Sequence, residues 1–305
     1  MTGFVLRRAL ATVPLLLGIV VVSFFFMRLA PGGPFDADRA LDPQVRANLE
    51  ARYGLDRPLV EQLGVYVGGL LEGDLGPSFK YVGWSVQEII AQGAPVSLTL
   101  GAGALLIALL VGIPLGVIAA LYHNRWADHL ATSIALVGVC VPNFVLGPVL
   151  VLVFVFGLGW LPVGGWGSPE QVILPAVTLG AVRAAYIGRL ARAGMLDVLQ
   201  QDFVRTARAK GLSERVVVAR HALRIAIVPV VQYLGPAIAS ILVGSVVVER
   251  IFDLPGLGSF FINAALNRDY TLAMGSVLLY STLLIGLNLL VDVLARAFDP
   301  RTETS

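Results

Sequence analysis

Between Val96 and Leu121 the chain runs for 26 residues without a charged side chain. A helix of about 20 apolar residues already crosses the roughly 30 Å hydrocarbon core of a bilayer. No water reaches that core to satisfy backbone N–H and C=O groups, so a run of this kind has to be helical. Comparable runs recur at Ala9–Met27, at Leu130–Trp160, from Val172 onward, at Ala226–Val248 and at Thr271–Leu294. The composition agrees: 57% of the 305 residues are hydrophobic and 14% charged, with a mean hydropathy of +0.81, too little polar surface for a soluble protein. The fold expected is an all-α polytopic membrane protein with six transmembrane helices.

Ala9–Met27 follows Arg7 and Arg8, as the apolar part of a signal peptide would, but it is longer and reads as a retained first span within residues 1–30. Residues 31–95 form a polar insert. Asp42, Pro43 and Gly54 bracket a helix over Gln44–Tyr53, and Pro58 opens another with Leu59, Leu63, Tyr66, Val67 and Leu70 at helical spacing. Nine acidic against five basic residues suit an extracytoplasmic face for this insert. Residues 96–297 form a core with five further spans, and residues 298–305 a cytoplasmic tail. In the second span Pro114 lies between Gly112 and Gly116, small residues that permit close helix packing. His123–His129 reads as a tight inner turn. Leu130–Trp160 is too long for an untilted span, and Pro142 and Pro148 should kink it, with Trp160 at the outer interface. An outer loop, Glu249–Tyr270, contains the turn LPGLG at Leu254–Gly258.

Charge sets the orientation. Arg183–Arg224 holds nine Arg or Lys against three acids. Under the six-span arrangement inner segments hold 14 basic residues and outer ones 8, most of the latter in the long insert, where the positive-inside rule counts least. Both termini are therefore expected to be cytoplasmic.

The basic segment, within a loop at 197–224, reads as helix, glycine turn, helix. Asp202 is placed to cap the first turn, and Gly211 suits the left-handed position after a helix end, with Leu212 able to pack back on Ala207. Ser213 can cap a second helix whose Glu214 suits the positive end of the dipole. Such a projection either rests on anionic lipid headgroups or receives a partner protein, whose backbone the small Ala207 and Ala209 would let approach while Arg205, Arg208 and Lys210 supply charge.

Catalytic signatures are missing. The sequence has no phosphate-binding glycine loop followed by lysine, no HExxH, no G-x-S-x-G and no dinucleotide fingerprint. Nucleotide energy would have to come from another chain, and the spans offer only Arg183 and, near an inner end, Asp292. Cys140 is the single cysteine, so no intrachain disulfide forms, and His123, His129 and His221 lack metal-ligand spacing. The net charge of +2 gives no case for a nucleic-acid partner. Kinked, Gly- and Pro-rich spans with a basic projection fit a transporter half; a membrane enzyme or scaffold is the alternative from another class.

The segment FVRTARAKGLSERVVVARHALRIAIVP resembles the cytoplasmic coupling loop of permease subunits in binding-protein-dependent ABC importers, in their peptide branch. Arg205, Thr206 and Ala207 stand where the family's general pattern has Glu-Ala-Ala, Gly211 matches its glycine, and the later proline is displaced to Pro229. MRLAPGGPF at Met27–Phe35, GDLGPSFKY at Gly73–Tyr81, VPNF at Val141–Phe144, LPGLG, ALNRDY at Ala265–Tyr270 and DPR at Asp299–Arg301 are similar to the B-type permeases of oligopeptide importers, in order along nearly the whole chain. The resemblance implies a type I (MetI-like) importer permease core in a bacterial inner membrane. Its implied partners are a second homologous permease, two ABC ATPases that bind ATP and Mg, an extracytoplasmic peptide-binding protein, a peptide substrate and membrane lipid. Dipeptides, nickel complexes, glutathione or another small solute are the alternative cargoes within the family.

By the same resemblance, Asp202, Arg205, Thr206, Ala207, Arg208, Lys210, Gly211, Leu212, Arg215, Arg220 and His221 would engage an ATPase, with Gly211 setting the angle between two short helices. No cofactor is expected in this chain. Arg183 would meet a peptide carboxylate in transit, pair with an acid on another span or chain, or snorkel inward. Gln232, Ser240 and Ser245 would offer hydrogen bonds to a peptide or to neighbouring helices. Asn143 would line the path or, with Pro142 and Pro148, shape the third span. The insert and the LPGLG turn would meet the binding protein or act as a lid on their own chain.

Overall fold

Proline and small residues decide where the helices of this chain break and touch. The computed structural model describes residues 2–29, 32–35 and 42–298, and the DPR motif lies outside them. In order, the helices are α1 (Thr2–Leu29), α2 (Pro43–Arg52), α3 (Leu59–Glu72), α4 (Val86–Leu121), α5 (Trp126–Cys140), α6 (Asn143–Val151) and α7 (Glu170–Leu199). There follow α8 (Asp202–Ala209), α9 (Glu214–Val216), α10 (Leu223–Ala226), α11 (Val228–Ile251), α12 (Leu257–Leu266) and α13 (Tyr270–Phe298). π-helical segments at Leu152–Gly157 and Val217–Ala222 extend α6 and join α9 to α10. Among the described residues the only extended pairing is an isolated bridge between Pro77 and Ser85.

Four helices, α1, α4, α7 and α13, contain continuous stretches long and apolar enough to cross a membrane. Two bent pairs supply the others, which makes six spans when each pair counts as one. The third span departs from the expected kink: Trp126–Cys140 and Asn143–Gly157 meet at 108°. Pro142 lacks an N–H and disfavours helical geometry at the residue before it, so Val141 turns extended, at φ −87° and ψ 115°. Pro148, by contrast, lies inside continuous α6. The helix also begins at Trp126, which confines the inner turn to the residues before it. The fifth span bends by 52° between Glu214–Ala226 and Val228–Leu242. It runs on to Ile251, so Glu249 belongs to a helix rather than to the outer loop, and α12 occupies much of that loop. The second span likewise begins at Val86 and passes through Pro95, giving a helix of about 54 Å at 1.5 Å per residue.

The chain forms two compact units. One comprises Met1–Val96 and Pro255–Ile285. There Phe24 and Val20 of α1 pack with Met274 against Leu63, Tyr66 and Leu70 of α3, and Phe35, Phe79 and Tyr270 form an aromatic cluster. The local signals of the insert are realised: the Asp42 carboxylate accepts from the Gln44 N–H at 2.8 Å, with Pro43 in the first turn and Gly54 at φ +64° beyond the end.

The other unit comprises Ser97–Leu254 and Gly286–Ser305. Its packing rests on backbone contact between α4 and α7. A Cβ at Gly112 would lie 2.6 Å from the Ala184 carbonyl, one at Gly180 2.6 Å from that of Ala104, and one at Gly116 would collide with that of Gly188. Small residues that let two backbones meet are a membrane solution, because lipid tails compete for ordinary apolar packing.

Candidate functional site

The basic projection is built on its apolar underside. Val204 and Ala207 of α8 and Val217 and Ala222 of the π segment bury together with Met195 and Val198 from the end of α7. A Cβ at Gly194 would collide with the Ala226 carbonyl, so α7 and α10 also touch through backbone. Displacing the projection therefore displaces α7.

At the turn, Gly211 adopts φ +79°, its N–H donates to Arg208 O at 2.9 Å, and the Leu212 N–H donates to Ala207 O at 3.4 Å. Leu212 is tied back by that backbone bond, while its side chain is 39% exposed. Two expected caps are not formed. Gln201 takes the N-cap of α8, leaving Asp202 as its first helical residue, 3.5 Å from Arg205; Ser213 holds the N-cap backbone geometry of α9 without a side-chain bond. The angle is held instead by a clamp across the glycine: Arg208 donates through Nη2 to Glu214 Oε1 at 2.6 Å and through Nε to Oε2 at 3.1 Å. That bonding raises the Arg208 pKa further, so the residue is cationic throughout the physiological range.

The outward face mixes charge with apolar contact. Arg205, Lys210, Arg215 and Arg220 are exposed among Phe203, Leu212 and Val216, each more than a third exposed; Thr206 is exposed but bonds back to Asp202 O, and His221 is half-buried. Of the expected coupling residues, Ala207 alone is buried, under the projection rather than on its face.

An ion cluster lies near the same end of α7, where it joins that helix to α5. Asp128 in the first turn of α5 is buried and receives Arg192 of α7 through two bonds of 2.7 Å. It also accepts from the Asn124 N–H at 3.0 Å and lies 3.2 Å from His123 Nδ1. Sequence reading missed Asp128; its signal was an acid at the mouth of an apolar run. Two further acids were missed in the same way. Glu249 of α11 is fully buried and accepts from Ser97 of α4 at 2.7 Å. In the first unit, fully buried Asp269 accepts from the Ser78 hydroxyl and from the backbone N–H groups of Phe79 and Lys80 at 3.2 and 3.3 Å. Tyr270 donates to Gly32 O at 3.0 Å, so Gly32 of the first motif meets GPSFKY and ALNRDY there.

The expected path residues are spread over three helices. Asn143 is the first residue of α6, and its Oδ1 is buried without a partner. Gln232 of α11 is exposed. Ser240 and Ser245 bond to carbonyls of their own helix, at Ala237 and Leu242, and Ser245 is fully enclosed, so neither hydroxyl makes the interhelical bond expected of it. Arg183 of α7 directs Nη1 to Tyr233 Oη at 3.5 Å, while its Nε is buried without a partner. A charge at that depth costs roughly 2.5–3.5 kcal/mol on insertion scales.

A family model described as the binding-protein-dependent transport system inner membrane component matches residues 112–304. The oligopeptide transport system permease protein OppB of Salmonella typhimurium is 47% identical over 303 residues, covering 99% of each chain. The dipeptide transport system permease protein DppB of Bacillus subtilis is 41% identical over 303 residues, covering 99% of this chain and 98% of its own. Among solved structures, an inward-facing form of the MetNI methionine ABC transporter aligns with a TM-score of 0.58 at 17% identity, over 69% of this chain and 96% of that one.

Proposed function

The chain belongs to the binding-protein-dependent transport system inner membrane component family, and from that premise we propose that it conducts oligopeptides as one of two related permease subunits. It is a multi-pass inner-membrane protein with a type I importer permease core. The observation that carries the choice of cargo is the 47% identity, end to end, to an oligopeptide permease.

In this reading both termini and the basic projection face the cytoplasm, where the projection seats in a groove on an ATPase. Phe203, Leu212 and Val216 supply apolar contact, and Arg205, Lys210, Arg215 and Arg220 supply charge. ATP and Mg belong to the two ATPase partners. Closure of the ATPase pair moves the projection as a rigid body, the Arg208–Glu214 clamp preserves its angle, and the shared core with α7 passes the displacement into the spans. The second permease completes the pathway, and an extracytoplasmic binding protein delivers the peptide. Asn143, Arg183 and Gln232 are the residues offered to it.

The test is ATP-driven uptake of a labelled tri- to pentapeptide into proteoliposomes holding this chain with its second permease, ATPases and binding protein. Uptake is expected and should vanish without the binding protein. ATP hydrolysis with uptake of dipeptide only would move the cargo to the dipeptide class. Failure of this chain to bind any ATPase would overturn the coupling assignment.

A further inference from the structure

Resting on the reading of this chain as a peptide permease, we infer that Arg183, Tyr233, Tyr186 and Arg189 form a receiving site for the C-terminal carboxylate of a peptide in transit. Arg183 lies 13 residues into the 30-residue α7, so about 20 Å of helix separates it from either end. That is beyond the reach of its side chain, and the guanidinium turns onto α11 instead. There it meets Tyr233 Oη at the outer limit of a hydrogen bond, 3.5 Å, and leaves Nε buried and unbonded. Among the described residues no carboxylate lies within ion-pair range of it. Arg192, nine residues further along the same helix, shows the contrast: two 2.7 Å bonds to Asp128 account for its charge. Of these two guanidinium groups of α7, that of Arg192 is neutralised by a described carboxylate and that of Arg183 is not.

The neighbours of Arg183 extend the site. Tyr233 stacks on Tyr186 with ring centroids 5.9 Å apart and planes 25° from parallel. The guanidinium of Arg189 lies 4.5 Å over the other ring of that stack, that of Tyr186. The result is a column from mid-membrane toward the inner end of α7: guanidinium, phenol, phenol, guanidinium. A part-buried guanidinium fork whose Nε is left without a partner calls for a planar anion with two acceptor oxygens, and the Tyr233 hydroxyl can donate to the same group. The terminal carboxylate is the one such group that every unmodified peptide carries, whatever its side chains. Because the column offers a second cation at Arg189, the carboxylate has somewhere to move, as passage requires. An acidic side chain of the second permease could satisfy the same chemistry, and the experiment separates the two.

The assembled complex in proteoliposomes is supplied with a labelled tetra-alanine peptide or its C-terminal amide, each at a concentration that saturates the binding protein. R183Q is expected to lower the ratio of free-acid to amide uptake roughly tenfold, the scale of one charge-assisted hydrogen bond. R183K, which keeps the charge and loses the fork, should lower it less, and Y233F should shift it in the same direction. Equal loss of both probes in R183Q, with poor recovery of the four-component complex, would assign Arg183 to an ion pair with the second permease and overturn the proposal. An unaltered ratio in a well-assembled R183Q complex would overturn it as well. Wild-type complex that takes up neither probe would remove the peptide reading itself, a result distinct from either of these.

Discussion

Asp128 and Arg192 are 64 positions apart and form the best-defined charged contact in the second unit, with the carboxylate 3% exposed and the guanidinium 29%. Removing one member of a nearly buried pair strands the other, and the partial exposure of Arg192 limits the penalty. Asp128→Asn should therefore destabilise the chain by roughly 2 kcal/mol, less than a fully buried pair would lose. Thermal unfolding of the detergent-solubilised protein checks this; a melting temperature equal to wild type would mean the pair contributes nothing. Nothing in the local sequence around Asp128 names Arg192 as its partner. The glycines at 112 and 116 are different: their spacing announced a close approach, and the structure supplies Ala184 and Gly188 as what approaches.

At the scale of elements, the projection is two short helical pieces whose relative angle depends on Gly211 for backbone freedom and on Arg208 and Glu214 for stiffness. Both clamp residues are substantially exposed, at 41% and 54%, so the bond adds less than about 1 kcal/mol to stability. Its expected effect is on force transmission. Glu214→Gln should melt near wild type yet lower peptide uptake per ATP hydrolysed several-fold in the reconstituted complex. Wild-type stoichiometry in that variant would leave the angle to Gly211 alone. The turn itself was legible, since a glycine after a helix end states its own conformation. The clamp and the π-helical winding after it were not: the clamp needs the turn to bring Arg208 onto Glu214, and the winding packs Val217 and Ala222 against the end of α7.

For the whole molecule, the reading of six spans with both termini cytoplasmic predicts that the projection is reached from the cytoplasmic side and the insert from the other. Replacing the single cysteine, Cys140→Ser, permits a direct test. In that background Val82→Cys, at a position 85% exposed in the insert, should react with a membrane-impermeant maleimide in right-side-out vesicles. Lys210→Cys should react only in inside-out vesicles. The reverse pattern would invert the topology and place the ATPase contact on the wrong face.

What this sequence determined by itself was the number and character of the spans, the helices of the insert, the glycine turn and the family. Those follow from local rules: apolar length against bilayer thickness, caps, prolines, and motifs in order. Only the tertiary structure decided that Pro142 breaks its span by 108° rather than kinking it, that Glu249 is enclosed against Ser97, that Asp269 gathers the Ser78 hydroxyl and the Phe79 and Lys80 N–H groups, and that Arg183 faces Tyr233. Each of the last three joins residues 50 or more positions apart. Helical periodicity states which face a residue occupies, but the register and crossing of two helices fix which residue it meets, and those come from packing the whole set at once.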